Sequence, residues 1–181
     1  MSTDQIHELQ IEIPNGVNVQ VEEGRIKVTG PRGSLSEDLR HIPVVLSKDN
    51  DTIRISKRWP KRKDKAMVGT AAARIRNLIK GVTDGFVYKL KIVYAHFPTT
   101  VKVLEKERKV VIENFSGERT PRVARIVDGA SVRVQGDEII VEGSSLNAVS
   151  QTAANIQKST RIKEKDQRVF LDGIYIYEKE A

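Results

Sequence analysis

Ile13-Pro14-Asn15-Gly16-Val17-Asn18-Val19 and, 84 residues further on, Phe97-Pro98-Thr99-Thr100-Val101-Lys102-Val103 are one pattern written twice. At that offset Ile26 falls on Val110, Val28 on Ile112 and Gly33 on Gly117. Later, Val68-Gly69-Thr70-Ala71-Ala72-Ala73-Arg74-Ile75 falls on Val149-Ser150-Gln151-Thr152-Ala153-Ala154-Asn155-Ile156, at an offset of 81. Solenoid units repeat at roughly 20–50 residues, so an interval this long means two tandem domains of one fold. The boundary is expected after Val82, giving domains 1–82 and 83–181.

Each copy begins with short segments of period-two alternation. Leu9, Ile11 and Ile13 share one face, as do Val17, Val19 and Val21, and then Ile26 and Val28, with Glu23-Gly24 as a tight connection. That spacing marks half-buried antiparallel strands. Leu35 to Leu39, then Ile53 and Ile55, predict further strands after the loop Gly30-Pro31-Arg32-Gly33. Val68, Ala71, Ala72, Ile75, Leu78 and Ile79 form a stripe at helical spacing, with Asp64 as expected N-cap and Gly81 as expected stop. In the second copy Phe86 to Tyr94 predicts a long strand. The segment of Val101 and Val103 should pair with that of Val110 and Ile112 across Glu105–Arg108, and the segment of Val132 and Val134 with that of Ile139 and Val141 across Gln135-Gly136-Asp137. A second helix carries Leu146, Val149, Ala153 and Ile156, with Ser145 aligned on Asp64 as its cap. The expected class is therefore α+β: two duplicated domains, each an antiparallel sheet with one helix packed on a face. Asp172-Gly173 reads as a bulge or tight turn before Ile174.

Charge separates the function classes. The 181-residue chain carries a net charge of +7, with 30% charged residues and no Cys. A basic excess of this size favours a polyanionic partner, and no amphipathic basic helix or lipidation signal points to a membrane instead. Disulfides and thiolate metal sites are excluded. Met1 to His7 is polar and unlike a signal peptide, and no apolar run approaches the roughly 20 residues of a membrane span. The expectation is a soluble, intracellular, basic protein. His7, His41 and His96 are scattered, without metal-ligand spacing or a carboxylate or nucleophile partner, so no catalytic residue, metal or cofactor is assigned.

The two copies differ where cations gather. The first inserts Lys57-Arg58-Trp59-Pro60-Lys61-Arg62-Lys63-Asp64-Lys65, six cations and one acid around the single Trp. Lys57, Arg58, Lys61, Arg62 and Lys63 are candidates to neutralise phosphates, and Trp59 either stacks on a base or packs on the sheet edge. The plain alternative is a solvated loop. The second copy carries Gln157-Lys158-Ser159-Thr160-Arg161-Ile162-Lys163-Glu164-Lys165-Asp166-Gln167-Arg168-Val169-Phe170 after its helix, five cations and two acids. Lys158, Ser159, Thr160, Arg161, Lys163, Lys165 and Arg168 offer the charge and hydroxyl donors that a folded RNA backbone needs. The plain alternative is a helix C-terminus whose cations complement its dipole.

Two separated motifs carry a family resemblance over essentially the whole chain. Asn77-Leu78-Ile79-Lys80-Gly81-Val82-Thr83-Asp84-Gly85-Phe86, running into Tyr88-Lys89-Leu90 and Val93-Tyr94-Ala95-His96-Phe97-Pro98, resembles the linker signature of the large-subunit ribosomal protein six family. Thr160-Arg161, Asp166 and Arg168-Val169-Phe170-Leu171-Asp172-Gly173-Ile174-Tyr175 resemble its archaeal and eukaryotic branch. The Pro/Tyr/Lys/Gly-rich segment of bacterial members is missing there. The resemblance implies a non-enzymatic, cytoplasmic component of the large ribosomal subunit. It further implies that the C-terminal domain is the main contact to large-subunit rRNA, near the sarcin–ricin loop and the stalk base where translation factors dock. Neighbouring ribosomal proteins are implied partners, whereas a membrane or a small-molecule substrate is not. Family RNA-facing positions carry over onto Lys158 to Arg168, and less directly onto Lys57 to Lys65. The competing classes are an RNA-processing enzyme, for which no general base or metal cluster is evident, and a protein–protein adaptor indifferent to salt.

Overall fold

Residues 6–95, 97–162, 166 and 169–180 are described by the computed structural model, in which the chain divides into two units, Met1–Asp84 and Gly85–Ala181. In the first unit the strands are β1 (Ile6–Glu12), β2 (Asn18–Glu22), β3 (Arg25–Gly30), β4 (Gly33–Asp38), β5 (Val45–Asp49) and β6 (Thr52–Arg58), followed by helix α1 (Arg62–Thr83). The α+β class holds, with a subdivision that alternation alone does not give. The strands form two antiparallel sheets, ordered β1-β6-β5 and β2-β3-β4. Helix α1 covers both. Its Val68, Ala71, Ala72, Ile75 and Val82 are fully buried against Ile26 and Val28 of one sheet and Ile53 and Ile55 of the other. Alanine at two of these positions lets the helix backbone come close to the strands. At Gly30 a Cβ would lie 2.8 Å from Val82 Cγ2, so only a hydrogen fits where β3 meets the last turn of α1.

Both ends of α1 differ from expectation. The N-cap is Lys61, and Asp64 sits three residues in, its carboxylate accepting the Lys61 N–H at 2.8 Å. This is the reach-back half of a capping box, which places the acid inside the first turn rather than before it. Gly81 does not stop the helix. It is buried within it, and the chain turns off after Asp84, where Gly85 takes a left-handed φ of 80°. The unit boundary consequently falls two residues beyond the expected one.

The second unit contains β7 (Phe86–Val93), β8 (Thr100–Leu104), β9 (Lys109–Glu113), a 3-10 turn (Phe115–Gly117), β10 (Arg122–Arg125), β11 (Ala130–Gln135), β12 (Glu138–Gly143), α2 (Leu146–Ser159) and β13 (Gly173–Glu180). Its sheets are ordered β10-β9-β8 and β11-β12-β7-β13. Matching β1 to β7, β2 to β8 and so on through β6 to β12 reproduces the sheet orders of the first unit, with β13 added beside β7. The duplication therefore extends from sequence to topology. The expected segments pair, with Val101 opposite Ile112, Val103 opposite Val110, Val132 opposite Val141 and Val134 opposite Ile139. Ser145 caps α2, its hydroxyl accepting the Ala148 N–H.

Asp172-Gly173 is neither bulge nor tight turn: Asp172 precedes β13 and Gly173 is its first residue. The irregularity of β13 lies between Ile176 and Glu178. Asp172 is buried, and its Oδ1 accepts the Ala95 N–H at 2.9 Å, tying the chain beyond β7 to the start of β13. Gly173 leaves room for the Tyr175 ring, which a Cβ would approach to 2.8 Å.

Ile75 and Ile156 occupy equivalent, fully buried helix positions in the two units. Ile75→Ala and Ile156→Ala should each lower stability by about 2–5 kcal/mol in urea unfolding, the range for deleting a large buried aliphatic group.

Candidate nucleic-acid interface

The first basic cluster is built where β6 hands over to α1. Lys57 is half-buried at the end of β6, and Arg58, Lys61, Arg62, Lys63 and Lys65 are exposed. Between them Trp59 turns the chain with a left-handed φ of 52°, and its side chain is 59% exposed rather than packed on the sheet edge. The acid within the cluster, Asp64, accepts the cap N–H of Lys61. None of the six cations forms an ion pair with a described residue.

The second cluster is built at the end of α2. Lys158 and Arg161 are exposed there without an ion pair to any described residue. Ser159 is half-buried and donates to the Ile156 carbonyl at 2.7 Å. Thr160 does not belong to the surface. It is 3% exposed, donates to the Gln157 carbonyl and accepts the Ile174 N–H, both at 3.0 Å, so its hydroxyl holds the α2 terminus against β13. Lys163, Lys165 and Arg168, like His96, lie outside the described residues. Lys158, Arg161, Gln157, Phe170, Asp172 and Tyr175 line an open recess of about 390 Å³ that combines two cations, an amide, two partly exposed aromatic rings and the carboxylate that holds the Ala95 N–H.

Arg122 positions this terminus, and nothing in its local sequence marks it. One guanidinium nitrogen donates to the Ser159 carbonyl at 2.9 Å and the Arg161 carbonyl at 3.0 Å. The other two grip Glu118 at 2.8 and 2.6 Å, and the group lies 4.4 Å from the centroid of the Phe115 ring. A cation here satisfies the unpaired carbonyls of the helix end and complements its dipole. Recognising it requires knowing that β10 runs beside the end of α2.

Comparison with known proteins fits the duplicated geometry. The pattern of the family described as Ribosomal protein L6 matches residues 13–85 and again 97–173, one copy in each unit. The chain belongs to the ribosomal protein L6 family. It is 47% identical to the large ribosomal subunit protein uL6 of Staphylothermus marinus over 171 residues, 93% of this chain and 92% of that one. It is 46% identical to the protein of the same name from Aeropyrum pernix over 173 residues, 95% and 94% of the two chains. The corresponding Methanobrevibacter smithii protein is 47% identical over 171 residues, 94% and 95%. The family is one of structural ribosomal proteins, not of enzymes, and this chain is of its archaeal type.

Within this L6-type fold half of the other basic side chains have acidic partners among the described residues. Arg74 meets Glu37 at 2.6 Å and Arg108 meets Asp128 at 2.9 Å. Lys89 contacts Glu180 at 2.6 Å and Glu178 at 2.9 Å, hydrogen bonds that push its ammonium above the usual lysine range. Arg40 hydrogen-bonds Asp38 and holds that carboxyl well below the ordinary carboxylate range. No described cation of either cluster is paired in this way, so both clusters keep their charge for something outside the chain.

The clusters are not equivalent energetically. Lys158 lies in the last turn of α2, where a cation is favoured. Arg62 and Lys63 open α1, where each cation opposes the positive end of the helix dipole and costs about 0.3–1 kcal/mol. The left-handed backbone at Trp59 adds roughly 1–2 kcal/mol. Fold stability therefore does not account for this sequence, and removing the misplaced charge should strengthen the free protein. Lys63→Glu should raise the unfolding free energy by about 0.6–2 kcal/mol, read as a higher urea midpoint at unchanged slope.

Proposed function

We propose that this protein is a structural component of the large ribosomal subunit that binds large-subunit rRNA near the sarcin–ricin loop and the stalk base, and so supports the factor-binding region during translation. Its setting is the cytoplasmic ribosome, and its partners are that RNA and the ribosomal proteins beside it. The second unit is the main RNA-binding one. Family membership supports the ribosomal role, and the names of its relatives place them in the large subunit. The observation that carries the RNA contact is the pairing of uncompensated Lys158 and Arg161 with the aromatic-lined recess beyond α2.

Arg161 presents a planar fork that grips a phosphate through two parallel N–H bonds, while Lys158 adds a mobile point charge. Gln157 supplies an amide for sugar hydroxyls, and the Phe170 and Tyr175 rings give apolar faces against ribose or base. Arg122 fixes the carbonyls of Ser159 and Arg161, so the cations project from an ordered helix end. The first cluster offers a second, weaker surface through Lys57, Arg58, Lys61, Arg62 and Lys63. An adaptor role would leave affinity nearly indifferent to salt, whereas phosphate neutralisation releases counterions.

With six phosphate contacts, log K for protein-free large-subunit rRNA should fall with log salt at a slope of roughly −4 to −5. Arg161→Ala should weaken binding by about 1–3 kcal/mol and flatten that slope by about 1, with the circular dichroism spectrum unchanged. A flat salt dependence in the unaltered protein contradicts the RNA reading.

A further inference from the structure

We infer that Trp59 is a stacking platform for an unpaired RNA base, held at the mouth of the β6–α1 basic cluster. The inference rests on the reading that the chain binds large-subunit rRNA, and it assigns that surface a ligand chemistry of its own. Three observations converge. An indole is one of the largest apolar side chains, yet here it stands more than half exposed instead of joining the core beneath α1. The backbone that presents it is in the left-handed region, a conformation that favours Gly. Beside it in the chain stand Arg58, Lys61, Arg62 and Lys63, exposed and without acidic partners among the described residues, at the helix end where cations are least favoured.

Each feature is unfavourable in the isolated protein, and one occupant relieves the electrostatic and apolar terms together. A polynucleotide brings phosphates for the cations and a flat π-face for the indole. The base must be unpaired, because in a duplex both faces of every internal base are already covered by their neighbours. A protein partner of ordinary composition would cover the indole and leave the cations unneutralised. Stacking tolerates any base, so the site selects single-stranded or bulged RNA rather than a sequence. The contrast with the α2 terminus is chemical: there the cations sit in a favourable field and the flanking rings are only partly exposed.

Trp59 is the single tryptophan of the chain, so indole emission, excited at wavelengths the four tyrosines do not absorb, reports on this position alone. The full-length protein is titrated with protein-free large-subunit rRNA, a twelve-nucleotide oligoadenylate and a twelve-base-pair RNA duplex, and binding is followed in parallel by filter retention. Emission should be quenched by the rRNA and the oligoadenylate and left nearly unchanged by the duplex. Trp59→Ala should weaken oligoadenylate binding about 5- to 150-fold, the effect of losing one stacked base, and Trp59→Phe should restore most of it. Retention of rRNA with unchanged Trp59 emission would overturn the inference and leave the RNA reading intact. Emission that responds only to added ribosomal proteins would overturn it in favour of a protein contact. If rRNA is not retained at all, the RNA reading fails first and the inference with it.

Discussion

Each unit must close two small sheets with a single helix, and the close approach of that helix is what the rest of the structure depends on. Ala71 and Ala72 in α1, and Ala148 and Ala153 in α2, keep the helix axis near the strands, while Val68, Ile75, Val149 and Ile156 fill the space between the sheets. A unit of this size buries a modest core, so loss of one of these side chains removes a large share of its stability. The same packing fixes both ends of each helix, and the ends are where the exposed basic residues gather. In the first unit they stand at the beginning of α1, in the second at the end of α2. Duplication supplied the scaffold twice, and the two copies present their charge from opposite ends of equivalent helices.

That difference has an electrostatic consequence. At the end of α2 the Arg122 guanidinium and Lys158 are opposite in sign to the carbonyls and to the negative end of the dipole, so charge and fold agree. At the start of α1 the agreement fails: Asp64 answers a single backbone N–H, and the cations around it work against the fold. A sequence that keeps such residues away from their favoured position is shaped by something other than folding, in the usual exchange between stability and binding. The paired cations make the opposite case. Lys89, Arg74 and Arg108 are as basic as Arg62 or Arg161, yet Glu180, Glu37 and Asp128 neutralise them within their own unit. Composition counts all of them alike, and only the fold separates charge used inside the chain from charge left over.

Much of this was legible in the sequence because it is periodic and repeated. Alternation at Val101, Val103, Val110 and Ile112 marked two strands that pair in the structure, and the helical stripe from Val68 to Ile79 lies on the buried face of α1. What was not legible depends on contacts distant along the chain. Period two shows which face of a strand is buried but not which sheet it joins, so the two-sheet construction of each unit was hidden. Gly81 looks like a helix stop, but burial against the sheets carries the helix past it to a glycine with the left-handed conformation, Gly85. Thr160 carries the hydroxyl that suits an RNA surface and is buried because Ile174 requires its acceptor. Arg122 carries no local sign of its task, since the carbonyls it holds lie on another element.

Lysine reactivity measures the central claim most directly, because it compares spent and unspent charge within one molecule. The full-length protein is acetylated briefly, free and bound to protein-free large-subunit rRNA, and the extent of modification is read at each lysine. Lys61, Lys63 and Lys158 should be protected by RNA, while Lys89, Lys102 and Lys109, engaged with Glu180, Glu113 and Glu107, should react to the same extent in both states. Protection of the paired lysines, with Lys61, Lys63 and Lys158 unchanged, would contradict the account.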